Sequence, residues 1–206
     1  MTRCVDMSEQ RQMTEVSKTA YARRPLVVEA ATTVFLRYGY TRTTMQDLAE
    51  AAGITRPTLY LTFPDKEQIF RAVIESLVAA NLLEIRKGLP AKTTLADQLR
   101  YACETWCVPG FDIVRGNSDA KDLFDLSFAP VRESYAAFEE LLVEILRVRL
   151  PEPESRVAAA ELAHMIGCAM KGFKDIASET SELRRLIGTL ADVVDANVTA
   201  RISVAG

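Results

Sequence analysis

Apolar side chains recur along most of this chain at the three- and four-residue intervals of an amphipathic helix, and no segment alternates apolar and polar residues as a half-buried strand does. Glycine, proline or short polar runs separate the successive segments. The pattern therefore predicts an all-α protein. Beyond residue 60, the predicted helices span approximately residues 65–87, 94–107, 118–128, 131–150, 154–178 and 181–201.

Helix-breaking residues set the expected boundaries. The first helix is predicted to end at Gly39, because glycine favours the backbone conformations that terminate helices. Pro109-Gly110 is expected to end a later helix, which leaves a loop or short helix over residues 111–117. The segment Pro151 to Pro153 is expected to separate the last two helices from the rest of the chain.

Residues 43–60 are typical of two short helices joined by a glycine turn. Thr44 is a good N-cap, and Asp47 three residues later gives a start that resembles a capping box. Gly53 stands where a left-handed C-cap is wanted, because a residue without Cβ takes positive φ at no steric cost. Two steeply crossed helices with such a turn form a helix-turn-helix, whose second helix enters the DNA major groove.

The second of these helices carries side chains suited to DNA. Thr55 or Arg56 is expected to cap it, and Pro57 suits a first turn, where its missing N–H would be unpaired anyway. Proline also disfavours helical backbone angles at Arg56, which predicts that Arg56 lies at the lip of the helix and meets base edges. On these residues alone, a plain helical hairpin with a glycine cap is the alternative.

Charge is distributed unevenly along the chain. The 206 residues carry a net charge of −3, yet residues 18–71 contain eight basic and five acidic side chains, so this segment carries +3 and the rest −6. A positive segment in an acidic chain is the footprint expected of a DNA-binding end.

One further set of residues favours a DNA-binding helix-turn-helix over a plain helical hairpin. The set consists of Ala30-Ala31, Phe35, Tyr38-Gly39-Tyr40, Thr43-Thr44, Leu48-Ala49, Ala51-Ala52-Gly53-Ile54, Thr58-Leu59-Tyr60, Phe63 and Lys66-Glu67. With this set, residues 26–66 resemble the DNA-binding domain of the TetR (tetracycline-repressor-like) family of bacterial transcriptional regulators. The chain departs from the family pattern at Pro57, where a small residue is common, and at Leu61-Thr62, where an aromatic and a polar residue are usual.

The resemblance implies a domain organisation and a function. The first residues are polar and lack periodic apolar spacing, which predicts a flexible arm over residues 1–22. The resemblance implies a three-helix DNA-binding domain over 23–67 and a helical domain over 68–206 that dimerises and binds an effector. The implied protein is a homodimeric transcriptional regulator, most often a repressor, that binds a near-palindromic double-stranded operator. Positions matched to phosphate contacts or to the groove-facing end are Thr43, Thr44, Thr55, Arg56, Pro57, Thr58, Tyr60 and Lys66.

Two further sites are expected in the C-terminal domain. An effector site is expected among the middle helices. Its expected lining consists of aromatic and sulfur-containing side chains, which favours an apolar or aromatic ligand. That lining is Trp106, Cys107, Phe111, Phe124, Phe128, Tyr135, Phe138, Met165 and Cys168.

The two strongly apolar last helices are expected to pair with a second copy as a four-helix bundle. Their expected interface residues are Ala163, Gly167, Leu183, Leu186, Ile187, Leu190 and Val194.

The cysteines and the single histidine leave an alternative open. Glu161 and His164 have the Glu-x-x-His spacing of di-iron bundles, but such a site needs a second copy of the motif and His164 is the only histidine. Cys103 and Cys107 share one helical face, as do His164 and Cys168, and the two faces together would form a Cys₃His zinc set or a thiol sensor. Plain buried cysteine is the simpler interpretation.

The remaining observations limit the class of protein. No Gly-rich phosphate loop or Ser–His–Asp spacing occurs, so we expect a protein that is not an enzyme, without cofactor or metal. No apolar run approaches 18 residues and the N-terminus is not of the signal type, which predicts a cytoplasmic protein without membrane association. A second alternative is a DNA-binding dimer whose C-terminal domain is a protein-interaction module without effector.

Overall fold

The computed structural model describes the backbone of residues 7–150 and 155–205, and the side chains of residues 20–150 and 158–200. Within these ranges every regular element is helical, which confirms the predicted all-α class. The α-helices are α1 (Met7–Arg42), α2 (Met45–Ala51), α3 (Arg56–Thr62), α4 (Lys66–Gly88), α5 (Leu95–Gly116), α6 (Ala129–Arg147), α7 (Ser155–Ile176) and α8 (Thr180–Ala205). Two 3-10 helices, Leu89–Ala91 and Ser118–Phe124, precede α5 and α6.

The first helix is longer than the sequence pattern indicated. It begins at Met7, so the part of the expected arm from residue 7 to residue 22 is helical, while residues 1–6 lie outside the described residues. This segment is rich in Met, Glu, Gln, Lys, Arg and Ala, which have high helix propensity, but it lacks the apolar stripe on which the prediction depended. Gly39 has φ +75° and ψ 170° and breaks the helix, as predicted.

The prediction that a helix ends at Pro109-Gly110 is wrong. Helix α5 continues through both residues to Gly116. An interior proline costs about 3 kcal/mol, but burying one large apolar side chain gains about 1.5–3 kcal/mol. Val108 and Phe111 flank the proline and are both buried, so packing offsets the lost hydrogen bond. The expected break from Pro151 to Pro153 lies outside the described residues.

The chain folds into two units whose boundaries differ from the expected ones. The N-terminal unit contains the residues up to Ser76 together with the segment Asp119–Leu123. The C-terminal unit contains Leu77–Ser118 and the chain from Phe124 onward. Helix α4 therefore contributes its first part to one unit and its second part to the other.

Each unit has its own core. In the N-terminal unit, fully buried side chains from α1 to α4 meet, and the rings of Phe35 and Phe70 form an edge-to-face pair with centroids 5.6 Å apart. In the C-terminal unit, α6 packs on α7 and α5 packs on α8. Its core includes Phe138, Leu142 and Met170. Among the described residues, no helix is long and apolar enough to cross a membrane.

Candidate nucleic-acid interface and effector site

The first helix of the predicted helix-turn-helix starts with a complete capping box. The Thr44 backbone N–H donates to the Asp47 carboxylate at 2.8 Å, and the Asp47 backbone N–H donates to the Thr44 hydroxyl at 3.3 Å. The Thr44 backbone N–H and the Thr44 hydroxyl both donate to the Asp47 carboxylate, and these two bonds lower the pKa of the Asp47 carboxyl. The predicted N-cap is thereby confirmed, and the beginning of α2 is fixed by residues within one turn.

The turn after α2 uses glycine as the sequence indicated. Gly53 has φ +66°, a left-handed conformation that residues with a Cβ rarely adopt. The Ile54 N–H donates to the Ala49 carbonyl at 3.0 Å, which closes the end of α2 with a Schellman-type bond. The turn redirects the chain so that α3 begins only a few residues later.

Helix α3 is capped by Thr55, whose hydroxyl accepts from the Thr58 N–H at 3.4 Å. Arg56 is nevertheless the first residue of α3, so the expectation that Pro57 keeps it out of the helix is wrong. Proline fits the second helical position here because its absent N–H has no partner in the first turn. Arg56 still lies at the beginning of the helix, where the prediction located it.

The exposed surface of α3 is formed by residues that the sequence predicted as DNA contacts. Thr55, Arg56, Pro57 and Tyr60 are exposed, and Thr58 is half-buried. The Arg56 guanidinium donates to the Tyr60 hydroxyl at 3.2 Å and lies 5.5 Å from the centre of its ring. This contact joins one turn of α3 into a single polar and aromatic surface. Leu59, on the opposite side, is fully buried.

Two of the predicted DNA contacts face inward instead. Thr43 is only 2% exposed, and its hydroxyl donates to the Gly39 carbonyl at 2.6 Å. The Lys66 amine donates to the carbonyls of Tyr40 and Thr43 at 2.8 and 2.9 Å, and burial lowers the pKa of Lys66. Both side chains hold the connection between α1 and α2. The motif gave no indication of this orientation.

The sequence also missed a carboxylate that caps the end of α1. Asp122 accepts hydrogen bonds from the backbone N–H groups of Tyr40 and Thr41, at 2.9 and 2.8 Å. Beside it, Arg42 forms an ion pair with Asp119. These partners are about 80 residues apart in the chain, and no local pattern indicates the pairing.

Arg24 also stabilises the N-terminal unit, through contacts that the sequence did not predict. Its guanidinium donates to the Thr62 carbonyl at 3.4 Å, at the end of α3, and lies 4.2 Å from the centre of the Phe63 ring. A basic residue that had counted only toward the positive charge therefore helps to hold the candidate recognition helix.

In the C-terminal unit, several predicted effector residues form an aromatic cluster. Trp106 stacks on Phe138 with ring centroids 4.6 Å apart and planes 4° apart, and its ring meets Tyr135 edge-on at 6.3 Å. The Lys174 amine donates to the Tyr135 hydroxyl and lies 5.8 Å from the centre of the Phe124 ring. Lys174 was not among the predicted effector-site residues, because a single lysine on an amphipathic helix forms no recognisable pattern.

The other predicted effector residues are distributed differently. Cys107 and Phe111 are buried in the core of the unit. Phe128 is half-buried at the N-cap of α6. Met165 and Cys168 lie on the exposed side of α7 and do not belong to the aromatic cluster. The structure thus brings together about half of the expected lining.

The expected dimer surface needs correction. Five of its residues, namely Ala163, Gly167, Leu183, Ile187 and Val194, are buried within the chain's own core. A side chain that is already buried there cannot also pack against a second copy. Leu186 and Leu190 are half-buried. The open apolar surface on the last two helices also includes Met165, which is 45% exposed, and Val193, which is 59% exposed.

The alternative four-residue zinc set does not assemble. Cys103 and Cys107 are buried, whereas His164 and Cys168 are exposed. Among the residues that the structure describes, no three His, Cys, Asp or Glu side chains converge as ligands of a metal ion.

The capped helix, the glycine turn and the exposed second helix together define a helix-turn-helix unit. Residues 27–73 match the family model of the bacterial regulatory proteins of the tetR family. This part of the chain is therefore similar to the DNA-binding domain of that family.

Individual relatives agree with this assignment. The chain is 32% identical over 113 residues to the HTH-type transcriptional regulator YfiR of Bacillus subtilis (strain 168), which covers 55% of this chain and 49% of that protein. It is 26% identical over 183 residues to the HTH-type transcriptional repressor ComR of Escherichia coli (strain K12), covering 80% and 83% of the two chains. The aligned region thus spans about half of the length of YfiR.

A solved structure agrees on the fold. The transcriptional regulator FadR of Bacillus subtilis in complex with stearoyl-CoA superposes with a TM-score of 0.61 at 16% identity, over 82% of this chain and 96% of that one.

Proposed function

We propose that this protein is a homodimeric, sequence-specific DNA-binding regulator of transcription, a repressor that a small apolar or aromatic effector releases from its operator. The observation that carries the proposal is the exposed surface of α3, in which Thr55, Arg56, Pro57 and Tyr60 stand at the end of a helix-turn-helix that meets base edges. The match of residues 27–73 to a family of regulators supports a role that is not enzymatic and is exercised on DNA in the cytoplasm.

Arg56 is the residue we assign to base reading. A guanidinium is suited to two hydrogen bonds with the O6 and N7 acceptors of guanine, and such a pair discriminates by about 1–3 kcal/mol. In the free protein its partner is the Tyr60 hydroxyl, 3.2 Å away, so binding exchanges one exposed polar contact for contacts with DNA. Thr44 and Tyr60, both exposed, are assigned to phosphates.

The test begins with selection of operator fragments from random or genomic DNA by the wild-type protein. Arg56→Ala should then weaken operator binding by about 1–3 kcal/mol for each subunit and relax the preference at one position of each half-site. Arg147→Ala, which removes an exposed arginine from α6, is the matched control and should leave both quantities unchanged. Equal base preference in wild type and Arg56→Ala would refute the assigned reading.

For dimerisation we propose the open apolar surface of α7 and α8, composed of Met165, Leu186, Leu190 and Val193. A two-fold protein requires a near-palindromic operator, so the fragments that are retained should contain two inverted half-sites. Selected sequences with a single half-site would argue against the dimer.

For the effector we propose a site at the aromatic cluster of Trp106, Phe124, Tyr135 and Phe138, with α4 as the helix that continues from one unit into the other. An effector needs only about 1.4 kcal/mol of preference for the conformation that does not bind DNA to lower operator affinity tenfold. Trp106, the sole tryptophan, should change its fluorescence over the ligand concentrations that release DNA. A ligand that quenches Trp106 without releasing DNA would instead support a C-terminal unit that serves protein interaction.

A further inference from the structure

A large apolar side chain is exposed on the surface that α3 presents to solvent. Leu61 is 62% exposed, more than the neighbouring Tyr60 at 42%, whose ring lies against the Arg56 guanidinium. Leu61 is also one of the positions at which the sequence departs from the TetR family pattern. Single exposed leucines are common on protein surfaces, so the position of Leu61 on the helix decides what it can contact.

Helical geometry places Leu61 and Pro57 opposite the core of the N-terminal unit. Leu59 is fully buried, and each of the two residues lies two positions from it, about 200° around the helix axis. Pro57 and Leu61 are four residues apart, so their side chains are neighbours on one face of the helix. Both are exposed. Together they form an apolar strip along the centre of the outward surface of α3.

Polar side chains border the apolar strip on both sides. On one side are Arg56 and Tyr60, whose guanidinium and hydroxyl are 3.2 Å apart. On the other side is Thr58, whose hydroxyl lies 2.8 Å from the hydroxyl of Thr55. The groups that can form hydrogen bonds with a base edge or a phosphate therefore flank the strip, and the strip itself presents only carbon atoms.

The major groove offers one apolar group to such a strip. Base pairs present hydrogen-bond donors and acceptors there, and the C5-methyl of thymine is the apolar exception. A leucine that faced the N7 or O6 of a purine, or the N4 amine of cytosine, would remove these polar groups from water without giving them a partner. Contact with a thymine methyl instead removes apolar surface from water on both molecules. Leucine at this position therefore favours thymine and disfavours the other bases.

We propose that Leu61, beside Pro57, is a specificity-determining residue that recognises the C5-methyl group of one thymine in each half-site of the operator. The inference rests on the proposed function, in which α3 enters the major groove of DNA. Arg56 and Leu61 then read different base pairs by different chemistry. Arg56 uses hydrogen bonds to a base edge, whereas Leu61 uses an apolar contact that depends on a single methyl group.

The experiment uses the full-length protein and the operator fragments that it retains from genomic or random DNA. Each thymidine is replaced in turn by deoxyuridine, which lacks only the C5-methyl and keeps every hydrogen-bonding group, and dissociation constants are measured at one fixed salt concentration. At one position of each half-site, loss of the methyl should weaken binding about fourfold, which corresponds to about 0.8 kcal/mol for burial of one such carbon group. Its loss from both half-sites should weaken binding about fifteenfold.

Leu61→Ala should abolish the sensitivity to this methyl group, so that the thymidine and deoxyuridine operators bind the variant with equal affinity. Because Leu61 is exposed, the urea unfolding midpoint of the variant should stay at the wild-type value. Leu83→Ala is the matched control, because it shortens a leucine of similar exposure, 53%, on the part of α4 that belongs to the C-terminal unit. It should keep both the wild-type affinity and the wild-type methyl sensitivity.

The proposal is overturned if no deoxyuridine substitution weakens binding by the wild-type protein, a result that requires no variant. It is also overturned if Leu61→Ala keeps the wild-type sensitivity to the lost methyl, or if Leu83→Ala loses that sensitivity, since the effect would then not be local to α3. Failure to retain any specific fragment would refute the proposed function and base recognition by Leu61 with it. Operators that are retained but insensitive to the methyl group contradict this inference alone.

Discussion

Asp122→Ala offers the most direct test of how the N-terminal unit is held together. The substitution removes the acceptor of the Tyr40 and Thr41 backbone N–H groups, which lie 2.9 and 2.8 Å from the carboxylate. A hydrogen bond to a charged group contributes about 1.5–3 kcal/mol, but Thr41 is exposed and water can replace part of what is lost. We therefore expect a local destabilisation of about 2 kcal/mol, and about half of that for Asp122→Asn, which keeps one carbonyl acceptor.

Native-state hydrogen exchange with residue resolution is the appropriate assay, because it reports the opening free energy of individual amides. A loss of about 2 kcal/mol corresponds to roughly 30-fold faster exchange at Tyr40 and Thr41, since 1.36 kcal/mol is one factor of ten. Amides in the core of the C-terminal unit should exchange at the wild-type rate. Global unfolding alone would not separate this local effect from a general one.

Asp119→Asn supplies the control within the same segment. It removes the same charge and the ion pair with Arg42, whose side chain is largely exposed, so the cost should stay below about 1 kcal/mol. If Asp122→Ala left the exchange of Tyr40 and Thr41 unchanged, or if Asp119→Asn accelerated it equally, the carboxylate cap would not be the interaction that secures the end of α1.

Further predictions concern the turns, the capping box and the dimer surface. Gly53→Ala should cost about 1–2 kcal/mol in urea unfolding because φ is +66° and space is open, whereas Gly39→Ala should cost more because its Cβ would also collide with the Asp119 carbonyl; equal losses would contradict this. The lowered pKa of Asp47 means that its contribution is present above the unfolded value of about 3.9 and is lost as pH falls through the lower folded value. The stability gap between wild type and Asp47→Asn should therefore shrink in acid, and a gap independent of pH would refute the bond. Leu190→Glu should give monomers in sedimentation, because a carboxylate on a closed apolar surface would be unpaired, and an intact dimer would locate the interface elsewhere.

The sequence predicted the parts of the site that depend on neighbouring residues. The N-cap Thr44, the turn at Gly53 and the start of α3 are set by hydrogen bonds and backbone angles within one or two turns, so they leave a local pattern. The inward orientation of Lys66 depends on carbonyls 23 and 26 residues away, and the role of Asp122 depends on amides about 80 residues away. Contacts of this kind leave no periodic signal.

The remaining errors have energetic causes. Proline rules would end α5 at Pro109, but burial of the flanking side chains outweighs a single lost hydrogen bond. An apolar stripe on α8 does not by itself indicate whether its side chains pack in the chain's own core or against a second copy. Leu183 and Ile187 belong to the former, and only the more exposed positions beside them are open to a partner.

The N-terminal unit is assembled from two stretches of chain, and this has a consequence for its biosynthesis. During translation, the helix-turn-helix emerges from the ribosome long before Asp119–Leu123 does, so the unit cannot be completed until residue 123 has been synthesised. The same discontinuity affects grafting. A transplant of this unit onto a different C-terminal domain that stops at Ser76 would leave behind the acceptor of the Tyr40 and Thr41 amides, and the exchanged part must therefore include the short second stretch.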